Sequence, residues 1–151
     1  MAQNLNLKSS KYKIMKIFII ILLSLGTIYG HAATNEEHDT MSFYSVNDVI
    51  ADAIKAGDAS KLASYFAQTI QLSVPGKKDV FSKTQAGVIM QDFFKKYPPS
   101  SFTINSEGKT SGSNFYVLGS YVSGDVVFKV YYVMQNIENK ITLHILKFEI
   151  Q

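Results

Sequence analysis

The sequence predicts an α+β domain, with three N-terminal helices packed on a curved antiparallel sheet. Three observations carry this. Apolar residues recur at helical spacing in three stretches between Val46 and Tyr97. From Ser101 to Gln151 the pattern changes to β-branched and aromatic runs separated by turn residues. Helical segments followed by a run of strands is the order of an α+β fold, not of alternating βα units.

The first helix is expected to begin at Ser45, with Asp48 three residues on as in a capping box. Its apolar positions are Val46, Val49, Ile50, Ala53 and Ile54, and Gly57 is its natural stop. Asp58 caps a second, short helix that presents Leu62, Tyr65 and Phe66 on one side. Thr69–Val74 reads as a short strand closed by Pro75-Gly76. The third helix opens on a capping box of Ser82 and Gln85 and carries the stripe Ala86, Ile89, Met90, Phe93 and Tyr97, with Phe94 beside it. Pro98-Pro99 ends it. A strand from Phe102 to Asn105 then leads through a Gly/Ser-rich region to Gly112 and into a hairpin.

That hairpin is the centre of the sheet. Its expected turn is Ser123-Gly124, which sets Leu118 opposite Lys129 and Tyr116 opposite Tyr131. Alternation then gives one almost wholly apolar face, with Phe115, Val117, Gly119 and Tyr121 beside Val126, Phe128, Val130, Tyr132 and Met134. The opposite face carries Tyr116, Leu118, Tyr131 and Val133, and is unusually apolar for a solvated surface. A turn at Glu138-Asn139 leads to a last strand, Ile141–Ile150. An even-numbered loop there places His144, Leu146 and Phe148 on the outer face, and Lys147 and Glu149 on the inner one.

The chain has 151 residues, one domain's worth. Residues 1–33 read as a secretory signal peptide. Lys8, Lys11, Lys13 and Lys16 form the basic region, Ile17–Leu25 the apolar run, and Gly30-His31-Ala32-Ala33 the small residues before cleavage. The apolar run is short for a membrane span. Met15 offers a second possible start. Residues 34–44 are polar and acidic, and read as a flexible lead-in to a domain over 45–151. An exported protein, periplasmic or extracellular, without a stable membrane anchor is the expectation.

Without the leader's four lysines, eleven Lys remain against twelve Asp and Glu, and there is no arginine anywhere. Nucleic-acid binding is excluded for want of a basic stripe and of bidentate guanidinium contacts. The chain has no cysteine, hence no disulfide and no thiolate nucleophile.

Some stretches resemble a known family. Ala56-Gly57-Asp58-Ala59-Ser60-Lys61-Leu62, Leu72-Ser73-Val74-Pro75-Gly76, Gln91-Asp92-Phe93-Phe94-Lys95-Lys96-Tyr97-Pro98-Pro99 and the Phe102 strand resemble a small exported bacterial family known only as a domain of unknown function. The element order is similar to the nuclear-transport-factor-2-like cone fold, shared with ketosteroid isomerases and limonene-epoxide hydrolase. The resemblance spans about Val46 to Ile150 and implies a cone with a cavity between helices and sheet. It implies no chemistry, because fold does not license function.

A cone-fold enzyme needs an acid or base in its pocket. Asp48 and Asp52 lie one turn apart but off the apolar stripe, so they read as solvated, as does Asp92 with Lys96 four residues on. His144 stands without a second ligand nearby in sequence. No catalytic residue, metal or cofactor is assigned. The aromatic set Tyr65, Phe66, Phe93, Phe94, Tyr121, Phe128 and Tyr132, with Met90, either fills the core or lines an apolar pocket in which phenol hydroxyls orient a ligand. The expected role is an exported, non-catalytic domain that binds a small apolar ligand or a protein partner. The alternative is an isomerase or hydrolase using a pocket tyrosine and a carboxylate. A third reading is a structural dimer module. The apolar outer face marks Tyr116, Leu118, Tyr131 and Val133 as candidate contacts of a homodimer through the sheet.

Overall fold

A computed structural model describes residues 35–110 and 112–151, with side chains from Ser42 onward. The signal-peptide reading falls outside the described residues. Residues Asp39–Gln151 form one unit; of the unit before it only the start of the first helix is described.

Three helices and six strands follow one another as α1 (Asn35–Ala56), α2 (Ala59–Ser64), β1 (Phe66–Val74), β2 (Lys77–Ser82), α3 (Lys83–Lys96), β3 (Ser101–Lys109), β4 (Asn114–Ser123), β5 (Val126–Ile137) and β6 (Lys140–Ile150). The sheet order is β2-β1-β6-β5-β4-β3. The architecture is α+β with a curved mixed sheet. All neighbours are antiparallel except β1 and β6, which run parallel. The expected all-antiparallel sheet is thereby corrected: the β1–β2 hairpin docks beside the last strand of the meander. Nor do three helices precede the sheet. The pair α1 and α2 make one N-terminal helical region, and α3 follows the β1–β2 hairpin.

Local chemistry sets most boundaries. Asp58 caps α2 by accepting from Lys61 N at 2.9 Å. Ser82 and Gln85 form the full reciprocal capping box on α3. The cap expected at Ser45 does not exist, because α1 runs through it from Asn35 and includes the stretch read as a flexible lead-in. Phe43 belongs to the core and lies on one helical face with Asn47, Ile50 and Ile54. Tyr65 and Phe66 are not helical. Tyr65 closes α2, and Phe66 opens β1, extending the expected strand by three residues.

The central hairpin turns one residue later than expected. Ser123 pairs with Val126, so the tip is Gly124-Asp125, and Gly124 has the positive φ (56°) that a two-residue turn asks of its first central residue. Leu118 therefore faces Tyr131 and Tyr116 faces Val133. The shift preserves parity, so the face assignment stands: Phe115, Val117, Tyr121, Phe128, Val130, Tyr132 and Met134 are all buried.

On β6 the parity does change. The ladder runs Val133–Ile145 and then Met134–Leu143, leaving His144 as an extra residue. Leu146 and Phe148 consequently enter the core, and Lys147 turns outward to lie opposite Tyr131. The outer-face placement of Leu146 and Phe148, and the inner-face placement of Lys147 and Glu149, are corrected by this one bulge. A second irregularity leaves Asn105 unpaired in the β3–β4 register, and a third interrupts β1–β6 between Phe66 and Gln71. Bulges bend the strand that carries them and increase its twist, consistent with the curvature of this sheet.

Candidate functional site

The interior between α3 and the sheet is built from rings. Phe93 projects from α3 and is 5% exposed. Its centroid lies 4.6 Å from Phe148, 5.4 Å from Phe128, 5.8 Å from Tyr121, 5.6 Å from Phe94 and 5.4 Å from Tyr97. These are the tilted and edge-on arrangements that aromatic quadrupoles favour. Met90, Phe66 and Tyr132 are buried, and Tyr65 is half-buried. The structure thus brings Phe93, Phe94, Tyr121 and Phe128 into direct ring contact. It adds Phe148, which the alternation of β6 had pointed outward.

The phenol of Tyr121 donates to the Tyr97 carbonyl oxygen at 2.5 Å, across the end of α3. That carbonyl belongs to the C-cap residue and has no intrahelical partner of its own, so the bond satisfies the helix end and the buried phenol at once. Burial pushes the Tyr121 hydroxyl well above its ordinary range.

A second polar group lies deeper. Asn47, only 1% exposed, sits within the apolar stripe of α1. Its Oδ1 accepts from the Tyr132 hydroxyl, and its Nδ2 donates to Glu107 Oε2 at 2.6 Å. One amide therefore ties β5 and β3 to α1. Burial, and then the negative charges of Glu107 and Asp48, push the Tyr132 phenol far above its ordinary range. At neutral pH Tyr132 is a neutral donor whose proton is already committed to Asn47. The arrangement can hold a hydrogen-bonded chain from a buried phenol to a half-exposed carboxylate. It leaves no free base facing the aromatic cluster through Tyr132.

Asn47 and Glu107 were missed by sequence reasoning. The available signal was spacing: Asn47 stands at i+4 from Phe43 and three before Ile50, a core position occupied by a polar residue. The solvated aspartates Asp48, Asp52 and Asp92 are exposed as expected. Among the described residues no three His, Cys, Asp or Glu side chains gather as a metal site, and no described helix is long and apolar enough to cross a membrane.

The outer face of the sheet is continuous in register. Tyr116 pairs with Val133 and Val133 with Ile145; Leu118 pairs with Tyr131 and Tyr131 with Lys147. Val133 is buried, and Tyr116, Leu118, Tyr131 and Ile145 are half-buried. The Lys147 ammonium lies 5.8 Å from the centre of the Tyr131 ring, a cation–π distance.

Comparison with known proteins adds the following. A family model described as "Domain of unknown function (DUF4783)" matches residues 47–149. A solved DUF4783 protein from Bacteroides uniformis is 24% identical, covering 70% of this chain and 97% of its own, with a TM-score of 0.66. One from Bacteroides ovatus is also 24% identical, covering 68% and 93%, with a TM-score of 0.64. An NTF-2 like protein of unknown function from Silicibacter pomeroyi is 14% identical, covering 78% and 99%, with a TM-score of 0.55. No curated protein matches the chain.

Proposed function

The chain belongs to the DUF4783 family, a domain of unknown function with the nuclear-transport-factor-2-like fold, and on that footing we propose that it is an exported recognition module without chemistry of its own, assembled as a homodimer through the outer face of its sheet. The observation that carries this is the apolar strip of Tyr116, Leu118, Tyr131, Val133 and Ile145, which crosses three strands in pairing register. An antiparallel sheet with a solvated face alternates apolar-in with polar-out. A strip of this kind is a contact surface, and two copies meeting about a twofold axis bury it reciprocally. The cone and its cavity, and a small apolar ligand within it, compete with rings that already pack on one another.

Replacing Leu118 and Tyr131 together with lysine tests the assembly. The expected result is a folded monomer by light scattering and circular dichroism, against a dimeric parent. A parent that is monomeric at high micromolar concentration overturns it. Native mass spectrometry of protein purified from its host reports a retained apolar molecule directly, and such a molecule would favour ligand binding.

One observation favours a second reading, an isomerase or hydrolase: a tyrosine and a carboxylate meet on one buried amide. It ranks below the first because a substrate must displace Asn47 before Tyr132 can donate to it. Turnover that disappears in both Tyr132→Phe and Glu107→Gln would reverse the order.

A further inference from the structure

We propose that the cleft between the bulged segments of β1 and β6 binds a small oxyanion, the carboxylate or phosphate group of its ligand. The site shares no residue with the outer apolar strip, although His144 directly precedes Ile145 of that strip, and it meets the aromatic interior only at Phe66. It begins as a mismatch in the ladder. Phe66 pairs with Leu143 and Gln71 with Ile145, so β1 takes five steps where β6 takes two. The β1–β6 pairing is interrupted between Phe66 and Gln71, and a cleft of about 340 Å³ lined by Ala67, Gln68 and Thr69 lies there. That is near the lower end of small-ligand sites. Bulges are over-represented beside functional sites because they re-aim side chains.

The lining chemistry is one-sided. Lys83 and Lys140 line the cleft, and among the described residues no Asp or Glu does. Lys83 is held in place: its Nζ donates to the Ser64 carbonyl oxygen at 2.7 Å, and an ammonium has two further protons to give. Lys140, Thr142 and His144 stand at alternate positions of β6 and so project from one face, the face opposite buried Ile141 and Leu143. Gln68 supplies an amide from the β1 side. The Thr142 hydroxyl and His144 Nε2 are 3.0 Å apart, a hydrogen bond between two of the lining side chains. Burial lowers the His144 pKa, so the imidazole is neutral at pH 7 and the cationic charge comes from the two lysines. Two ammonium groups and several neutral donors around a concave space, with no carboxylate among them, match a small oxyanion. Ile137 at the rim offers apolar contact to a short carbon skeleton.

The experiment is a heteronuclear NMR titration of the protein with inorganic phosphate and, separately, with citrate. The expected result is a saturable shift of the Gln68, Thr142 and His144 amides. Lys140→Met should weaken that binding about tenfold, which is the loss of one charge-assisted contact. Lys140 is exposed, so this variant keeps the fold even if Lys83→Met, which also loses the Ser64 contact, does not. Shifts that stay linear with anion concentration, saturate at other amides, or persist unchanged in Lys140→Met overturn the proposal. Sedimentation with phosphatidylglycerol vesicles but not phosphatidylcholine vesicles, lost in Lys140→Met, assigns the oxyanion to a lipid headgroup. Saturable phosphate or citrate binding without sedimentation assigns it to a soluble ligand.

Discussion

The ring of Phe102 lies so close to the backbone of Gly119 that a methyl group at residue 119 would sit 2.7 Å from its Cε2 atom and 2.8 Å from the carbonyl oxygen of Thr103. Glycine at this point lets the edge strand β3 bring its aromatic side chain close against the backbone of β4. The bulge at Asn105 follows immediately, and Asn105 Nδ2 donates to Ser120 Oγ at 2.8 Å on the far side of Gly119. Gly119→Ala should destabilise the domain by about 1–3 kcal/mol, the usual cost of overpacking a tight site. Equilibrium urea unfolding measures it. A loss under about 0.5 kcal/mol would mean that β3 yields at no real cost.

Phe93 is the hub of the ring cluster, touching five other aromatic side chains. Phe93→Ala should cost about 3–5 kcal/mol, transfer and cavity terms together. A shift in denaturant midpoint equivalent to less than about 1 kcal/mol would show that the cluster collapses around the gap or is not tightly packed.

Asn47 gives a sharper test, because its two partners come from different strands. Asn47→Ala strands the Tyr132 hydroxyl and removes a donor from Glu107, and should cost about 1–3 kcal/mol for the buried group left unsatisfied. Tyr132→Phe should cost less, since Asn47 keeps its bond to Glu107. In a double-mutant cycle the two losses should fall short of additivity. Strict additivity would mean that the Asn47–Tyr132 bond contributes nothing to the folded state.

Much of this fold was legible from alternation and helical spacing, and the errors have physical causes. The hairpin turn moved by one residue, yet every inner-face residue of β4 and β5 except half-buried Val126 was assigned correctly, because the move preserves parity. On β6 the His144 bulge broke parity, and Leu146 and Phe148 went to the wrong side. Nothing in Thr142-Leu143-His144-Ile145 distinguishes a bulge from regular alternation. Strand β2, Lys77–Ser82, was missed because it is an edge strand with no fully buried side chain and so carries no alternating pattern. Residues 34–44 were read as a lead-in from their acidic composition, which outweighed the core residue Phe43. The candidate site followed the same rule. Aromatic residues that cluster by bulk were found, whereas Asn47 and Glu107, which matter through their partners, were not. Lys83 from α3 and Lys140 and His144 from β6 line one cleft, and no spacing in the chain encodes that.

Two buried phenols make stability depend on pH at the alkaline end. Tyr132 and Tyr121 have folded-state pKa values raised above the ordinary 10.0, in both cases chiefly by burial. Where a folded pKa is raised, the unfolded chain gives up the proton first. The contribution of each phenol is therefore fully present below pH 10.0 and is withdrawn as pH rises from that value towards the folded pKa. Unfolding free energy should be flat with respect to these groups through neutral pH and should fall steeply above pH 10.0. Tyr132→Phe lowers stability at neutral pH by the lost hydrogen bond but removes one of the two ionisations, so its profile above pH 10.0 should be shallower and should converge on that of the parent. Urea midpoints measured across the alkaline range decide this. Parallel profiles for parent and variant would show that the Tyr132 hydroxyl ionises as readily in the folded protein as in the unfolded chain, and that the bond to Asn47 does not hold its proton.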